Sequence, residues 1–158
     1  MKTLRLLRHA KSSWKDLTVD DVDRPLKAKG QKRCSLLAKT LGELPTTQIH
    51  SSHAKRALQT ADIIAKACCD SREVTINKAF YTFEIQALYT ALCSLPSDAN
   101  DVLLVAHNPA LLALVNWLTE LNFENIVTAG YVELACDVSC WGQLSPKNCR
   151  YIRHIFLK

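Results

Sequence analysis

Residues 102–106, Val-Leu-Leu-Val-Ala, form an apolar run that constrains the fold of this 158-residue chain more than any other segment. A strand of this kind is buried on both faces, as happens when helices cover both sides of a parallel sheet. Strand-like and helix-like segments alternate at short spacing along the rest of the chain, which is typical of α/β proteins. The sequence therefore predicts a three-layer α/β/α sandwich with a mostly parallel central sheet, forming one domain over residues 1–158.

The individual elements follow from hydrophobic periodicity and from helix start and stop signals. In the second helix, for example, Ala57, Ala61, Ile64 and Ala65 recur on one face. The predicted strands are residues 3–7, 47–50, 74–76, 102–106, 131–135 and 152–157. The predicted helices are a segment from Pro25 to a stop at Gly42, residues 54–68, residues 84–95, and a segment from Pro109 to about residue 121.

The composition, with 48% hydrophobic and 22% charged residues, is that of an ordinary globular protein. The longest apolar stretch, residues 102–117, is interrupted by polar residues and by Pro109, so no membrane-spanning helix is expected. The first residues lack the long apolar region of a secretory signal peptide. We therefore expect a cytoplasmic protein that does not associate with membranes.

The net charge of +5 is modest, and the Lys and Arg residues are dispersed along the sequence. This pattern favours an anionic substrate over a nucleic-acid partner. The seven cysteines include no C-x-x-C pair, and Cys136 and Cys140 have no matching pair to complete a zinc site. We expect reduced, structural thiols, with no metal and no cofactor.

Three chemistry-bearing segments lie where a strand gives way to the next element. Arg8 and His9 follow the first strand, Arg56 stands in the first turn of the second helix, and His107 follows the strand at 102–106. In α/β folds the carboxyl ends of the strands form the ligand crevice. Two arginines offer forked donors for phosphate oxygens, and a neutral histidine can act as a nucleophile. The combination indicates phosphoryl transfer through a histidine.

Structural roles are the alternatives for two of these segments. Ser51 or Ser52 is a candidate N-cap for the second helix. His107 can either donate a hydrogen bond to a phosphoryl group or cap the helix that begins near Pro109. The sequence leaves both alternatives open.

Four blocks, in order along almost the whole chain, resemble the histidine phosphatase superfamily and, within it, the small SixA-type phosphohistidine phosphatases. The blocks are Leu6-Leu7-Arg8-His9-Ala10, Asp23-Arg24-Pro25-Leu26, Ser52-His53-Ala54-Lys55-Arg56-Ala57 and Val105-Ala106-His107-Asn108-Pro109. The resemblance implies a phosphoglycerate-mutase-like fold and metal-independent chemistry.

By the same resemblance, His9 would be the nucleophile that is transiently phosphorylated. Arg8, Arg56 and His107 would bind the phosphoryl group. Arg24 would line the pocket, or would instead anchor the acidic loop before it through a salt bridge. The chain departs from the family at His53, where proline is usual, and we expect a surface residue there.

The sequence offers three carboxylates that could donate a proton to the leaving group. Asp16, Asp23 and Glu84 are the candidates, with Glu84 at a helix start. An alkoxide leaving group benefits from such an acid, whereas imidazole leaves from phosphohistidine without one. The leading interpretation is therefore a monomeric phosphatase for phosphohistidine on a partner protein, such as a histidine-phosphotransfer domain. The alternatives are a phosphomonoesterase for small or varied esters and a non-catalytic phosphate-binding module.

Overall fold

Six strands form one mixed sheet in the computed structural model, which describes residues 1–158. The strands are β1 (Lys2–Arg8), β2 (Gln48–Ser51), β3 (Val74–Ile76), β4 (Asp101–Ala106), β5 (Tyr131–Cys136) and β6 (Cys149–Ile155). The α-helices are α1 (Ala28–Leu41), α2 (Lys55–Cys68), α3 (Ile85–Cys93) and α4 (Ala110–Thr119). None of these helices is long and apolar enough to cross a membrane.

The strand order is β3-β2-β4-β1-β5-β6. Strands β3, β2, β4 and β1 pair in parallel, whereas β5 runs antiparallel to both of its neighbours, β1 and β6. The predicted, mostly parallel α/β sheet is confirmed. The carboxyl ends of β1, β2 and β4 therefore meet at one edge, and each of them leads into a segment that carries a candidate site residue.

Helices cover both faces of the sheet and complete the three predicted layers. In β4, Val102 and Leu104 pack into a core with α3 and α4, while Leu103 and Val105 pack into a second core with α1 and α2. All four side chains have no exposed surface. This division explains why β4 is apolar at consecutive positions instead of alternating with polar residues.

The first helix starts later than predicted, at Ala28 instead of Pro25. The preceding residues are extended because they pair with the loop that follows His9. Leu26 forms an isolated antiparallel bridge with Ser12, and the amide of Lys27 donates to the carbonyl of Lys11. Gly30 then lies so close to this loop that a Cβ atom would stand 2.3 Å from the Lys11 carbonyl oxygen. Helix α1 thus holds the loop after His9 in place.

Other boundaries move by a few residues. Helix α3 begins at Ile85 because Glu84 occupies the N-cap position, and α4 ends at Thr119, before Glu120 in the left-handed conformation. Strand β6 begins at Cys149, three residues before the predicted start, because the ladder with β5 continues through Cys136.

Candidate active site

The register of the sheet brings the predicted site residues together. Arg8, the last residue of β1, pairs with Ala106 at the end of β4, so His9 and His107 leave adjacent strands at the same level. On the other side of β4, Ser51 of β2 pairs with Val105, and the chain then turns into α2. As predicted, Arg56 lies in the first turn of that helix.

The ring of His9 is buried and held in one orientation. Its Nδ1 atom donates to the carbonyl of Ala10 at 2.8 Å, which leaves Nε2 with a free electron pair. The Nε group of Arg56 donates toward that Nε2 atom at 3.3 Å. The loop is fixed by Thr60, whose hydroxyl accepts from the amide of Ala10. His9 therefore presents a neutral nitrogen toward the guanidinium of Arg56.

Both site histidines are neutral at physiological pH. Burial, together with the positive charges of Arg56 and Arg8, lowers the pKa of His9 to about 4, even though the bond to Ala10 acts in the opposite direction. Burial, followed by the nearby His9 and Arg56, lowers the pKa of His107 to about 3. A neutral imidazole is the form that can attack phosphorus.

The ring of His107 contacts Arg56 on one side and Ser52 on the other. Its Nδ1 atom lies 3.4 Å from Nη2 of Arg56, and its Nε2 atom lies 2.8 Å from the hydroxyl of Ser52. The two imidazole centroids of His9 and His107 are 5.3 Å apart. The side chain of His107 does not cap α4, whose N-cap is Pro109 without a side-chain bond.

Ser52 does not cap α2, and Ser51 does not either. The N-cap residue is Ala54, with no side-chain capping bond. The hydroxyl of Ser52 accepts from the amide of Ala54 at 3.3 Å, and its shorter contact is with His107. The N-cap prediction is wrong because the chain extends two further residues before α2 begins, which leaves Ser52 beside β4.

Arg56 is the centre of the site. Besides the two histidines, it contacts Asp21: Nη1 donates to the Asp21 carbonyl at 2.7 Å and Nη2 to the Asp21 carboxylate at 3.0 Å. The Arg56 residue is only 2% exposed. Its guanidinium plane is therefore fixed between both imidazoles before any substrate binds.

Arg8 supplies a second, incompletely paired guanidinium. Its Nη1 group donates to the carbonyl of Ile126 at 2.9 Å, whereas its buried Nε group has no hydrogen-bond partner. Burial and the proximity of Arg56 lower the pKa of Arg8. A buried donor without a partner is costly, so the guanidinium of Arg8 is less well satisfied than that of Arg56.

Arg24 is buried and forms the predicted salt bridge to the acidic loop, with Nε 3.1 Å from the Asp21 carboxylate. Its Nη1 group donates to the hydroxyl of Ser12 at 2.8 Å, and the guanidinium stacks on Trp14 at 3.5 Å. Arg24 also lines a surface cleft of about 730 Å³, together with Asp16, Asp23 and Lys55. None of His9, Arg8, Arg56 and His107 lines that cleft, so the structure shows the salt bridge of Arg24, and its pocket-lining role stays a prediction.

The three predicted proton donors lie outside this network. Asp16, Asp23 and Glu84 are exposed, and none of them forms a hydrogen bond to a site histidine or arginine. The carboxylate of Asp16 instead accepts from the amide and hydroxyl of Thr18, and these bonds lower its pKa.

Asp21 is the carboxylate that reaches the site, and sequence reasoning did not single it out. The hydroxyl of Tyr81 donates to its Oδ2 atom at 2.5 Å, next to the bond from Arg56. Partial burial acts to raise the pKa of Asp21, but the bonds from Tyr81 and Arg56 outweigh it and lower the pKa to about 2. Asp21 is therefore ionised at neutral pH and cannot donate a proton.

An aromatic wall completes one side of the site. Tyr81 and Phe83 approach the ring of His107 edge-on, with centroids 5.3 and 5.6 Å away. His53 packs against Tyr81 at 5.2 Å and is half-buried, so this residue is only partly exposed at the surface. The reason is that the chain before α2 turns back against the segment that follows β3.

Comparison with known proteins identifies relatives of two kinds. A family model described as histidine phosphatase superfamily (branch 1) matches residues 4–81. A protein named probable phosphoglycerate mutase GpmB, from Escherichia coli O1:K1, is 38% identical over 73 residues, which are 44% of this chain and 34% of the relative. The chain thus covers about a third of the length of the curated relatives that it matches.

Solved structures match over nearly the whole chain. SixA of Nakamurella multipartitia has a TM-score of 0.79 at 22% identity and covers 98% of this chain and 95% of its own. SixA of Agrobacterium tumefaciens has the same score and identity, with 99% and 98% covered. The protein histidine phosphatase SixA in complex with tungstate has a TM-score of 0.74 at 16% identity, with 97% and 96% covered. At these identities the likeness establishes a shared fold.

Proposed function

We propose that this chain, which belongs to the histidine phosphatase superfamily, is a metal-independent phosphatase. In this proposal His9 becomes transiently phosphorylated during the reaction. We further propose that its preferred substrates are phosphohistidines on partner proteins and that it acts as a monomer. The observation that carries the proposal is the position of Arg56, whose guanidinium lies 3.3 Å from Nε2 of His9 and 3.4 Å from Nδ1 of His107.

The two chemical steps follow from this geometry. In the first, Nε2 of His9 attacks phosphorus while the bond to the leaving group breaks in line with it. Arg56 and Arg8 stabilise the charge on the equatorial oxygens, and His107 contributes a further donor. In the second step, water attacks the phosphorus of phospho-His9, the P–N bond breaks, and inorganic phosphate leaves with His9 restored.

The electrostatics of the site favour a phosphoramidate substrate. Asp21, the carboxylate that binds Arg56, is ionised, with a pKa of about 2. General acids contribute roughly 100- to 10,000-fold to reactions that expel a poor leaving group. An imidazole that takes its proton from solvent does not need this contribution, whereas an alkoxide does.

The shape of the surroundings favours a macromolecular substrate. The cleft beside Arg24 is open to solvent, and Trp14 and Leu17 at its edge are 63% and 84% exposed. Exposed apolar side chains beside a binding site are typical of protein contact surfaces. A folded partner could contact this surface while its phosphorylated side chain reaches the buried His9, which is 7% exposed.

Turnover in excess EDTA is the direct test. We expect rapid release of phosphate from a phosphorylated histidine-phosphotransfer domain and slower release from glycerol phosphate. The histidine substrate should be hydrolysed as fast with EDTA as without it, because the proposed steps use only side chains. The matched control is the His9→Ala variant.

The outcomes separate the alternatives. A preference for glycerol phosphate would replace the proposal with a small-molecule phosphomonoesterase. Loss of activity in EDTA would contradict the metal-independent mechanism. Binding of phosphate without turnover of either substrate would leave a phosphate-binding module.

A further inference from the structure

We propose that the hydroxyl of Ser52 sets the tautomer of His107 when a phosphoryl group is bound. In this role Ser52 donates its proton to Nε2 of His107, and the neutral ring presents Nδ1–H to a phosphoryl oxygen. Ser52 is a positioning residue, since it acts through His107. The inference rests on the proposed function, because the phosphoryl group is the ligand that completes the arrangement.

The contacts of Ser52 leave its proton one destination. The residue is fully buried, and its oxygen accepts from the amide of Ala54 at 3.3 Å. The acceptor in reach of its O–H group is Nε2 of His107 at 2.8 Å. A buried hydroxyl without an acceptor is unfavourable, so this contact favours Ser52 as the donor.

Arg56 favours the opposite tautomer in the empty site. Its Nη2 group, which can only donate, lies 3.4 Å from Nδ1 of His107. With no anion present, this contact competes with Ser52, because Nδ1 can accept from Arg56 only when the ring proton lies on Nε2 and points at Ser52. A phosphoryl oxygen would accept from Nδ1–H and Arg56 together, and both nitrogens of His107 would then be satisfied with Ser52 as donor.

A hydroxyl is the group that serves both states, because it can accept from Nε2–H and donate to Nε2. A carbonyl or carboxylate in its place would hold the proton on Nε2 and would keep Nδ1 from donating. The change from one tautomer of His107 to the other leaves one proton on the ring throughout. His107 thus becomes a hydrogen-bond donor without becoming an imidazolium, which its burial disfavours.

Nitrogen-15 NMR of histidine-labelled protein tests the tautomer directly. Tungstate is the probe for the phosphoryl group, and the His107→Gln variant assigns the resonances. At pH 7.5 with tungstate bound, we expect His107 to carry its proton on Nδ1 and none on Nε2. A proton on Nε2, or on both nitrogens, would overturn the proposal. This readout does not depend on turnover, so it is distinguishable from a failure of the proposed function.

Kinetics supply the second measurement. Ser52→Ala should lower kcat/KM by roughly 10- to 100-fold, as expected for the loss of an orienting partner, and Ser52→Thr should recover most of it. A deficit that threonine does not rescue would indicate packing alone and would overturn the role.

Two cysteines, Cys136 and Cys149, pair across β5 and β6 at the end of the sheet away from the candidate active site. We infer that Cys136 and Cys149 form an oxidation site that a hydroperoxide converts to a disulfide. The two residues are paired across β5 and β6, and their sulfur atoms are 3.7 Å apart. Both thiols are free in the structure.

The strand pairing suits a disulfide. The amide of Asp137 donates to the carbonyl of Asn148, so the adjacent pair, Cys136 and Cys149, occupies a position without mutual hydrogen bonds. Alpha carbons at such positions are about 4.5 Å apart, which lies inside the range that disulfides span. The bond therefore requires little movement of the backbone.

The two thiols differ in how far they are exposed to solvent. Cys149 is partly exposed, and its hydrogen bond with Cys136 lowers its pKa, whereas Cys136 is fully buried. The thiolate of Cys149 would attack the peroxide, giving a sulfenic acid and releasing hydroxide or alkoxide. The Cys136 sulfur would then displace the sulfenic oxygen as water, forming the S–S bond.

The pair is distant from the candidate active site. Cys136 is the partner of Lys2 at the start of β1, whereas Arg8 ends the same strand. Oxidation should therefore fasten the edge strand β6 to the sheet and leave phosphatase activity unchanged. The disulfide would close the loop between Cys136 and Cys149. A cross-link over a loop of this length raises the Tm by roughly 5–10 °C.

Peptide mapping of the full-length protein after treatment with hydrogen peroxide tests this inference. We expect a reducible Cys136–Cys149 disulfide and a higher Tm, neither of which should occur in Cys136→Ser or Cys149→Ser. Cys68→Ser, which removes a buried thiol elsewhere, is the matched control and should still form the bond. Over-oxidation of Cys149 without a disulfide, or a disulfide between other cysteines, would overturn the inference.

Discussion

Replacing His9 by alanine is expected to reduce phosphate release from a phosphorylated histidine-phosphotransfer domain by about 10⁴-fold or more. The physical reason is that the variant lacks the nitrogen that attacks phosphorus, and loss of a nucleophile removes the covalent pathway altogether. In the wild-type protein that nitrogen is available because Nδ1 of His9 donates to Ala10 and Nε2 carries the free electron pair. Rapid-quench experiments with radiolabelled substrate should trap an acid-labile phosphoenzyme in the wild-type protein and none in the variant.

His50→Ala is the matched control for this experiment. His50 is also buried, its pKa is also lowered by burial, and it forms no hydrogen bond to His9, Arg56 or His107. Its replacement should leave the phosphoenzyme and the turnover rate largely intact. If His9→Ala kept activity within tenfold of the wild-type rate, or still formed the labelled phosphoenzyme, His9 would not be the nucleophile.

The position of the site could be predicted from the sequence because it depends on local signals. Arg8, His9 and His107 each follow an apolar strand, and Arg56 begins a helix, so a general property of α/β sheets places them at one edge. The predicted layers follow from the same signals, since β4 is apolar on both faces. These inferences needed no knowledge of long-range contacts.

The parts that were missed depend on contacts between distant segments. Asp21 is bound by Arg56 and by Tyr81, which are 35 and 60 residues away in sequence. Nothing in the acidic loop distinguishes Asp21 from Asp16 or Asp23. From this loop, sequence reasoning therefore named Asp16 and Asp23 and passed over Asp21, the one that reaches the site.

Ser52 shows how a local rule can mislead. A serine just before a helix is a frequent N-cap, but the two-residue extension to Ala54 moves its hydroxyl to His107 instead. Pro25 is a similar case. Proline is common at the first position of a helix, yet here the bridge between Leu26 and Ser12 keeps the chain extended until Ala28.

Arg56→Ala should lower kcat/KM for the phosphorylated domain by roughly 100- to 1,000-fold, the usual cost of removing a preorganised donor from a developing oxyanion. The effect should be large because one guanidinium contacts both imidazoles and Asp21. When substrate binds, phosphoryl oxygens replace the histidine nitrogens as acceptors from the same donors. Steady-state kinetics and competitive inhibition by inorganic phosphate should both report the loss.

Arg56→Lys separates the charge of this residue from its geometry. Lysine retains the positive charge but has no planar fork, so it cannot contact both rings and Asp21 together. We expect it to recover inhibition by phosphate in part while kcat stays far below the wild-type value. Thermal unfolding of both variants controls for the loss of the Asp21 ion pair, in which the Asp21 carboxylate is 42% exposed and the Arg56 side chain 3%. A fall in kcat/KM of less than fivefold in folded Arg56→Ala would show that Arg8 and His107 suffice to stabilise the phosphoryl group, and the central role assigned to Arg56 would be wrong.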